Sequence, residues 1–190
     1  MIQLYNHQKD GKDITIAISK NLNFLLYIYR YYDLRHKKPK EFKQLNCDTE
    51  GLISTAFFHL RGITLWNQIL FALSDASHPL EADENNWYEE SYDFSALFSQ
   101  LNTYQAVKKA FQRWWEQEGE AGLSSMEEQI SSMLADFPFQ NLDQDHFLFL
   151  PVYEQYADSL TWGNEQLAII SPDDIKDPKK IMDHLTFMSK

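Results

Sequence analysis

The chain has 190 residues, 44% of them hydrophobic and 15% aromatic, with a formal net charge of −11. That length fits one domain, the density of rings argues against disorder, and the acidity disfavours a general binder of phosphate backbones. The single cysteine, Cys47, excludes an internal disulfide, so packing must hold the fold; with no apolar leader in MIQLYNHQKDGKD, a cytoplasmic setting is the expectation.

The first elements read as a β-hairpin. Ile2 and Leu4 alternate with polar neighbours, as do Ile14, Ile16 and Ile18, and Asp10-Gly11 between them supplies a turn that needs positive φ. Residues 21 to 35, NLNFLLYIYRYYDLR, carry both periods: Leu22, Leu25 or Leu26, Tyr29 and Tyr32 follow a helix, while the tyrosines at 27, 29 and 31 alternate. Length and the lack of turn residues favour a helix ending before Pro39. The basic stretch RYYDLRHKKPKEFK that follows interleaves cations with rings, and a helix C-terminus running into a solvated loop accounts for it.

A second helix is expected from Asp48 to Asp75, capped by Asp48 or Thr49. It has two apolar stripes, one through Leu52, Ile53, Ala56, Phe57, Leu60 and Thr64, the other through Phe58, Leu65, Ile69 and Leu73. That pattern places it centrally in the fold or partly in an oligomer interface. His59, Arg61, Asn67 and Gln68 make it a poor membrane span, and Gly62 marks a kink or a close crossing.

A third helix is expected from Asp93 to Glu118 on the stripe Phe94, Leu97, Leu101, Tyr104, Val107, Phe111 and Trp114, stopped by Gly119 and Gly122. Ser124 with Glu127 resembles a capping box that starts a fourth, ended by Pro138. HFLFLPVY and QLAIIS read as short strands, Pro151 suggesting a sheet edge, with a short helix from Tyr153 to Leu160 between them. Ser171-Pro172 and Asp177-Pro178 are each a cap followed by a first-turn proline. Together these give an α+β fold: a mostly helical single domain with an N-terminal β-hairpin and a small antiparallel sheet.

Motifs for chemistry are scarce. The six histidines are scattered, no HExxH, CxxC, Gly-x-Ser-x-Gly or Gly-rich phosphate loop occurs, and no cofactor or metal is implied. Asp143, Asp145 and His146 lack the glycine and terminal glutamate of a calcium loop. Cys47 before a helix reads as small packing.

The acidity is uneven. Residues 1 to 45 hold nine Lys/Arg against four Asp/Glu, and residues 46 to 190 hold eight against twenty-four. Its most aromatic part is EADENNWYEESYDF, residues 81 to 94, with six carboxylates, four rings and no base. A loop that only solvates has no use for an indole, so this stretch is the candidate docking surface for a basic protein partner. Glu81, Asp83, Glu84, Glu89 and Glu90 would steer the encounter, and Trp87, Tyr88 and Tyr92 would anchor it. The function expected on this reading is that of an inhibitor or immunity-type protein masking a toxin or nuclease. The alternatives are an enzyme or small-ligand protein with a cleft beside the apolar helix, at His59, Arg61, Tyr27 and Trp66, and a nucleic-acid mimic, for which the charge is mild. The competing expectation for 81 to 94 is a polar loop with Asp93 as helix cap and Trp87 folded onto the core.

Overall fold

The computed structural model describes residues 5–34, 51–75, 78–135, 137, 139, 145–153, 167–177 and 179. The expectations placed on Ile2, Leu4, residues 35–50 with Cys47, Asp143, residues 154–160 and Pro178 lie outside them.

β1 (Tyr5–Lys9) and β2 (Lys12–Ile16) form the expected antiparallel hairpin. Asp10 and Gly11 fill its turn at φ 54° and 78°, the left-handed pair that matches the twist of the two strands. β3 (His146–Pro151) lies parallel to β2, and β4 (Leu167–Ile170) parallel to β3, so the order is β1-β2-β3-β4. The α+β class holds, but the sheet is mixed rather than antiparallel throughout. FLFLP and LAII are continuous apolar runs buried on both faces, which is how parallel strands read. Pro151 ends an interior strand instead of marking an edge, and its carbonyl accepts from Asn23 Nδ2 at 3.3 Å.

Helices cover both faces of this sheet. α1 (Lys20–Leu34) confirms the helical reading of the tyrosine-rich segment. It is the central helix: Leu22, Phe24 to Tyr29, Tyr31 and Tyr32 are all buried. Sheet residues Leu148, Leu150, Leu167 and Ile169 pack into its cluster. On the other face Ile14, Ile16, Phe147, Phe149, Ala168 and Ile170 pack with Ile130, Leu134, Phe137 and Phe139.

α2 (Thr55–Asp75) starts later than expected and is not central. Leu52 and Ile53 precede it in extended chain, Leu52 bridging Phe98 and the Ile53 N–H donating to the Leu97 carbonyl at 3.2 Å. Of its two stripes, Phe58, Leu65, Ile69 and Leu73 are buried, whereas Ala56, Phe57, Leu60 and Thr64 face solvent. Gly62 marks a close crossing, because a Cβ there would fall within the Tyr29 ring hydroxyl of α1. Gly62→Ala should therefore lower stability by about 1–3 kcal/mol, the usual cost of overpacking. In a urea melt, adding Tyr29→Phe to that variant should recover part of the loss, since it removes the atom nearest the new methyl.

α3 (Pro79–Tyr88) follows, then a 3₁₀ turn (Phe94–Leu97) and α4 (Leu101–Trp114). Asp93 does cap, but it caps the 3₁₀ turn, accepting from Ala96 N–H at 3.2 Å. Phe98 is extended, so the apolar phase restarts and Leu101, expected in the stripe, is exposed. Gly119 does not stop the helix. α4 passes through a π-helical turn (Trp115–Gly119) into α5 (Glu120–Leu134), with Gly119 at ordinary helical angles. Its missing side chain makes room for Trp114, whose ring a Cβ would meet at 2.8 Å. Ser124 lies inside α5 and donates to the Glu120 carbonyl, so it caps nothing, and Glu127 is buried, its carboxyl pushed up by burial and by Glu128. Ser171 caps α6 (Pro172–Ile175) in a capping box with Asp174, as its sequence indicates.

Candidate protein-binding face

Residues 81 to 88 belong to α3 rather than to a loop, and the helix divides the candidate residues by side. At steps of three and four, Leu80, Asp83 and Trp87 face inward while Glu81, Glu84 and Tyr88 face solvent. The expectation that Trp87, Tyr92 and Asp83 meet a partner is corrected by their burial, with 7%, 9% and 1% of their surfaces exposed. Tyr88, by contrast, is 78% exposed.

Trp87 is held by rings. It meets Phe24 edge-on at 5.4 Å between centroids and Phe111 at 5.7 Å. Tyr92 packs edge-on to Phe94, and its hydroxyl accepts from Asn86 Nδ2 at 3.2 Å. Burial, with Asp83 nearby, pushes that hydroxyl up to about 12.

Asp83 serves the first turn of α1. Its Oδ1 accepts from Ser19 Oγ at 2.6 Å and Asn21 Nδ2 at 3.0 Å, and its Oδ2 accepts from the backbone N–H of Lys20 at 2.7 Å and of Asn21 at 3.4 Å. Ser19 Oγ in turn accepts from Leu22 N–H at 3.0 Å. The carboxylate thus supplies from a neighbouring helix the acceptors that a helix N-terminus lacks. Burial raises its pKa, and these hydrogen bonds pull it partly back.

Two described cations turn toward the indole. Lys20 Nζ lies 4.7 Å from the Trp87 ring centroid and Lys108 Nζ lies 5.2 Å from it. Lys108 also pairs with Glu90, which removes Glu90 from the unpaired acids of the face. Burial lowers the Lys20 pKa, against the fields of Glu116, Glu120, Asp83 and Glu84. Glu116 on the π-helical turn and Glu120 at the start of α5 therefore join Glu84 around one half-buried ammonium. No local pattern marks these two residues, since they reach α3 only through the fold.

No family model, curated protein or solved structure matches the chain. The face must therefore be judged by its own chemistry. Glu81, Glu84, Tyr88 and Glu89 remain outward, Glu84 in the field of Lys20, and the segment from Leu80 to Tyr104 carries no base of its own.

The residues of the alternative cleft do not assemble in this way. His59 and Arg61 are on the exposed side of α2, Arg61 donating to the Ala96 carbonyl. Trp66 is buried, and Tyr27 packs on Phe111 and Trp114. Among the described residues no three His, Cys, Asp or Glu side chains converge as a metal site, and Asp145 and His146 pair with Lys12 and Asp13 at 2.9 and 3.1 Å. No described helix is long and apolar enough to cross a membrane.

Proposed function

We propose that the protein is an acidic protein-binding module, an inhibitor or immunity-type protein that masks a basic partner such as a toxin or nuclease. The observation that carries this reading is the outer side of α3. Glu81, Glu84 and Glu89 are exposed around a largely uncovered Tyr88, while Lys20 and Lys108 are drawn onto Trp87. Carboxylates of this kind steer a cationic surface into contact, and an exposed tyrosine supplies area at low entropic cost. Trp87, Asp83 and Tyr92 support the face from beneath and touch no partner.

Affinity capture from native extract tests it, at about 50 mM and about 500 mM salt, which bracket strong and weak screening. One basic protein should be retained at low salt and released at high salt. The Glu81→Lys, Glu84→Lys, Glu89→Lys variant should lose it, and Tyr88→Ala should shorten its residence about tenfold, the effect of a modest hot spot. Retention that survives the charge reversal, or no retained protein at low salt, sinks the reading.

A further inference from the structure

α2 is amphipathic in an unusual sense, since both of its sides are apolar. Phe58, Leu65, Trp66, Ile69 and Leu73 enter the core. Opposite them Phe57, Leu60, Ile63 and Phe71 are 61%, 63%, 45% and 73% exposed. A single exposed ring needs no explanation, but four large apolar side chains along one 21-residue helix form a strip, interrupted by Thr64 and Asn67.

We infer that this strip is the self-association surface of the protein, where α2 packs antiparallel against α2 of a second copy. Two observations select that occupant, and area bounds the strength. The first is spacing: Phe57, Leu60, Thr64, Asn67 and Phe71 advance by three and four, the seam of a helix pair. Phe57 and Phe71 lie seven residues either side of Thr64, so a two-fold axis there sets Phe57 of each copy beside Phe71 of the other, the reciprocal contact of an isologous interface, with Leu60 beside Gln68. The Thr64 hydroxyl donates to the Leu60 carbonyl at 2.9 Å, so the residue on the axis brings no unmet donor.

The second observation is charge. Two copies at −11 repel wherever their carboxylates face, yet α2 has no carboxylate before Asp75 at its last position. Antiparallel pairing puts that Asp75 by the partially positive N-terminus of the other helix. Area sets the limit on affinity. A helix of this length spans about 30 Å, and its strip offers each copy several hundred Å², short of the roughly 800 Å² per partner of a standard interface. The expected complex is therefore a weak, reversible dimer, separate from the acidic face on α3.

Sedimentation equilibrium from about 5 to about 200 µM covers the micromolar range of weak dimers and decides the matter. The wild type should pass from monomer to dimer. Phe71→Glu and Leu60→Glu should each weaken association at least about thirtyfold, with unchanged far-UV circular dichroism because both positions are exposed. In a Cys47→Ser background, Thr64→Cys should form a disulfide-linked dimer on mild oxidation, whereas Asp75→Cys, at the far end from its own copy, should not. A wild type that stays monomeric to the highest concentration overturns the inference, whatever the strip then covers within the chain. A dimer that persists in both glutamate variants, or that cross-links through Asp75→Cys and not through Thr64→Cys, overturns it as well.

Discussion

Trp87→Ala lowers the stability of the fold by about 3–5 kcal/mol, the range for removing a large buried ring. The indole touches Phe24 and Phe111, and each of these is itself a junction: Phe24 also meets Phe94 at 4.9 Å, and Phe111 also meets Tyr27 and Trp115. Losing the ring opens a cavity where α1, α3 and α4 meet, and it leaves Lys20 and Lys108 without the surface they lie over. Urea unfolding followed by circular dichroism measures this as a lower midpoint at unchanged slope. Tyr88→Ala, one position along, is the control and should shift stability by no more than about 0.5 kcal/mol. Equal effects at the two positions would mean that Trp87 is not seated in the core. The contrast also fixes how binding data must be read, since lost capture by a Trp87 variant reports on folding, and lost capture by a Tyr88 variant reports on contact.

Asp83→Ala is the second large effect, about 3 kcal/mol, because one deletion strands several buried donors. Ser19 Oγ and the backbone N–H groups of Lys20 and Asn21 lose their acceptor, while Asn21 Nδ2 keeps only the backbone carbonyl of residue 83. Asp83→Asn should cost less, keeping the shape but turning an amide donor toward other donors. Its pH dependence has a definite sign. The folded pKa of Asp83 is raised, so the native state holds its proton to higher pH than the unfolded chain does. Its contribution is fully present below the ordinary aspartate pKa and is lost as pH rises through the raised value. The asparagine variant does not titrate there, so the stability gap between the two proteins should narrow as pH rises across that window. A gap that widens instead would show a carboxyl held below its ordinary range.

Much of the fold was legible wherever local rules settle structure. Asp10-Gly11 announces its turn, Ser171-Pro172 its cap, and the helical spacing of Leu22, Tyr29 and Tyr32 prevailed over the competing alternation. Strand direction was carried by a weaker signal, the continuity of FLFLP and LAII, and the chemistry of Gly119 depended on a neighbour, Trp114, that only the three-dimensional arrangement supplies. Rank order in the core was also misread. α2 is more apolar than α1, yet α1 is the buried helix: Asn23 is satisfied inside by Ser19, Pro151 and Tyr153, and the Asn21 amide nitrogen donates to Asp83. Composition registers an asparagine as surface and cannot see the partner that brings it in. The same limit applied to Asp83, whose carboxylate was grouped with its exposed neighbours although helical phase alone separates it from Glu81 and Glu84.

The parallel ladder between β2 and β3 has a kinetic consequence. Asp13 finds its partner His146 only after 133 intervening steps of chain, and every helix from α1 to α5 is made within that loop. Closing so long a loop early costs much entropy for few contacts, whereas the hairpin and the run from α4 to α5 need only local chain. The sheet is thus expected to be completed last, joining a hairpin that formed alone to strands that wait for the helices between them. On the ribosome, β2 would emerge well before β3 exists, with Ile14 and Ile16 as yet uncovered.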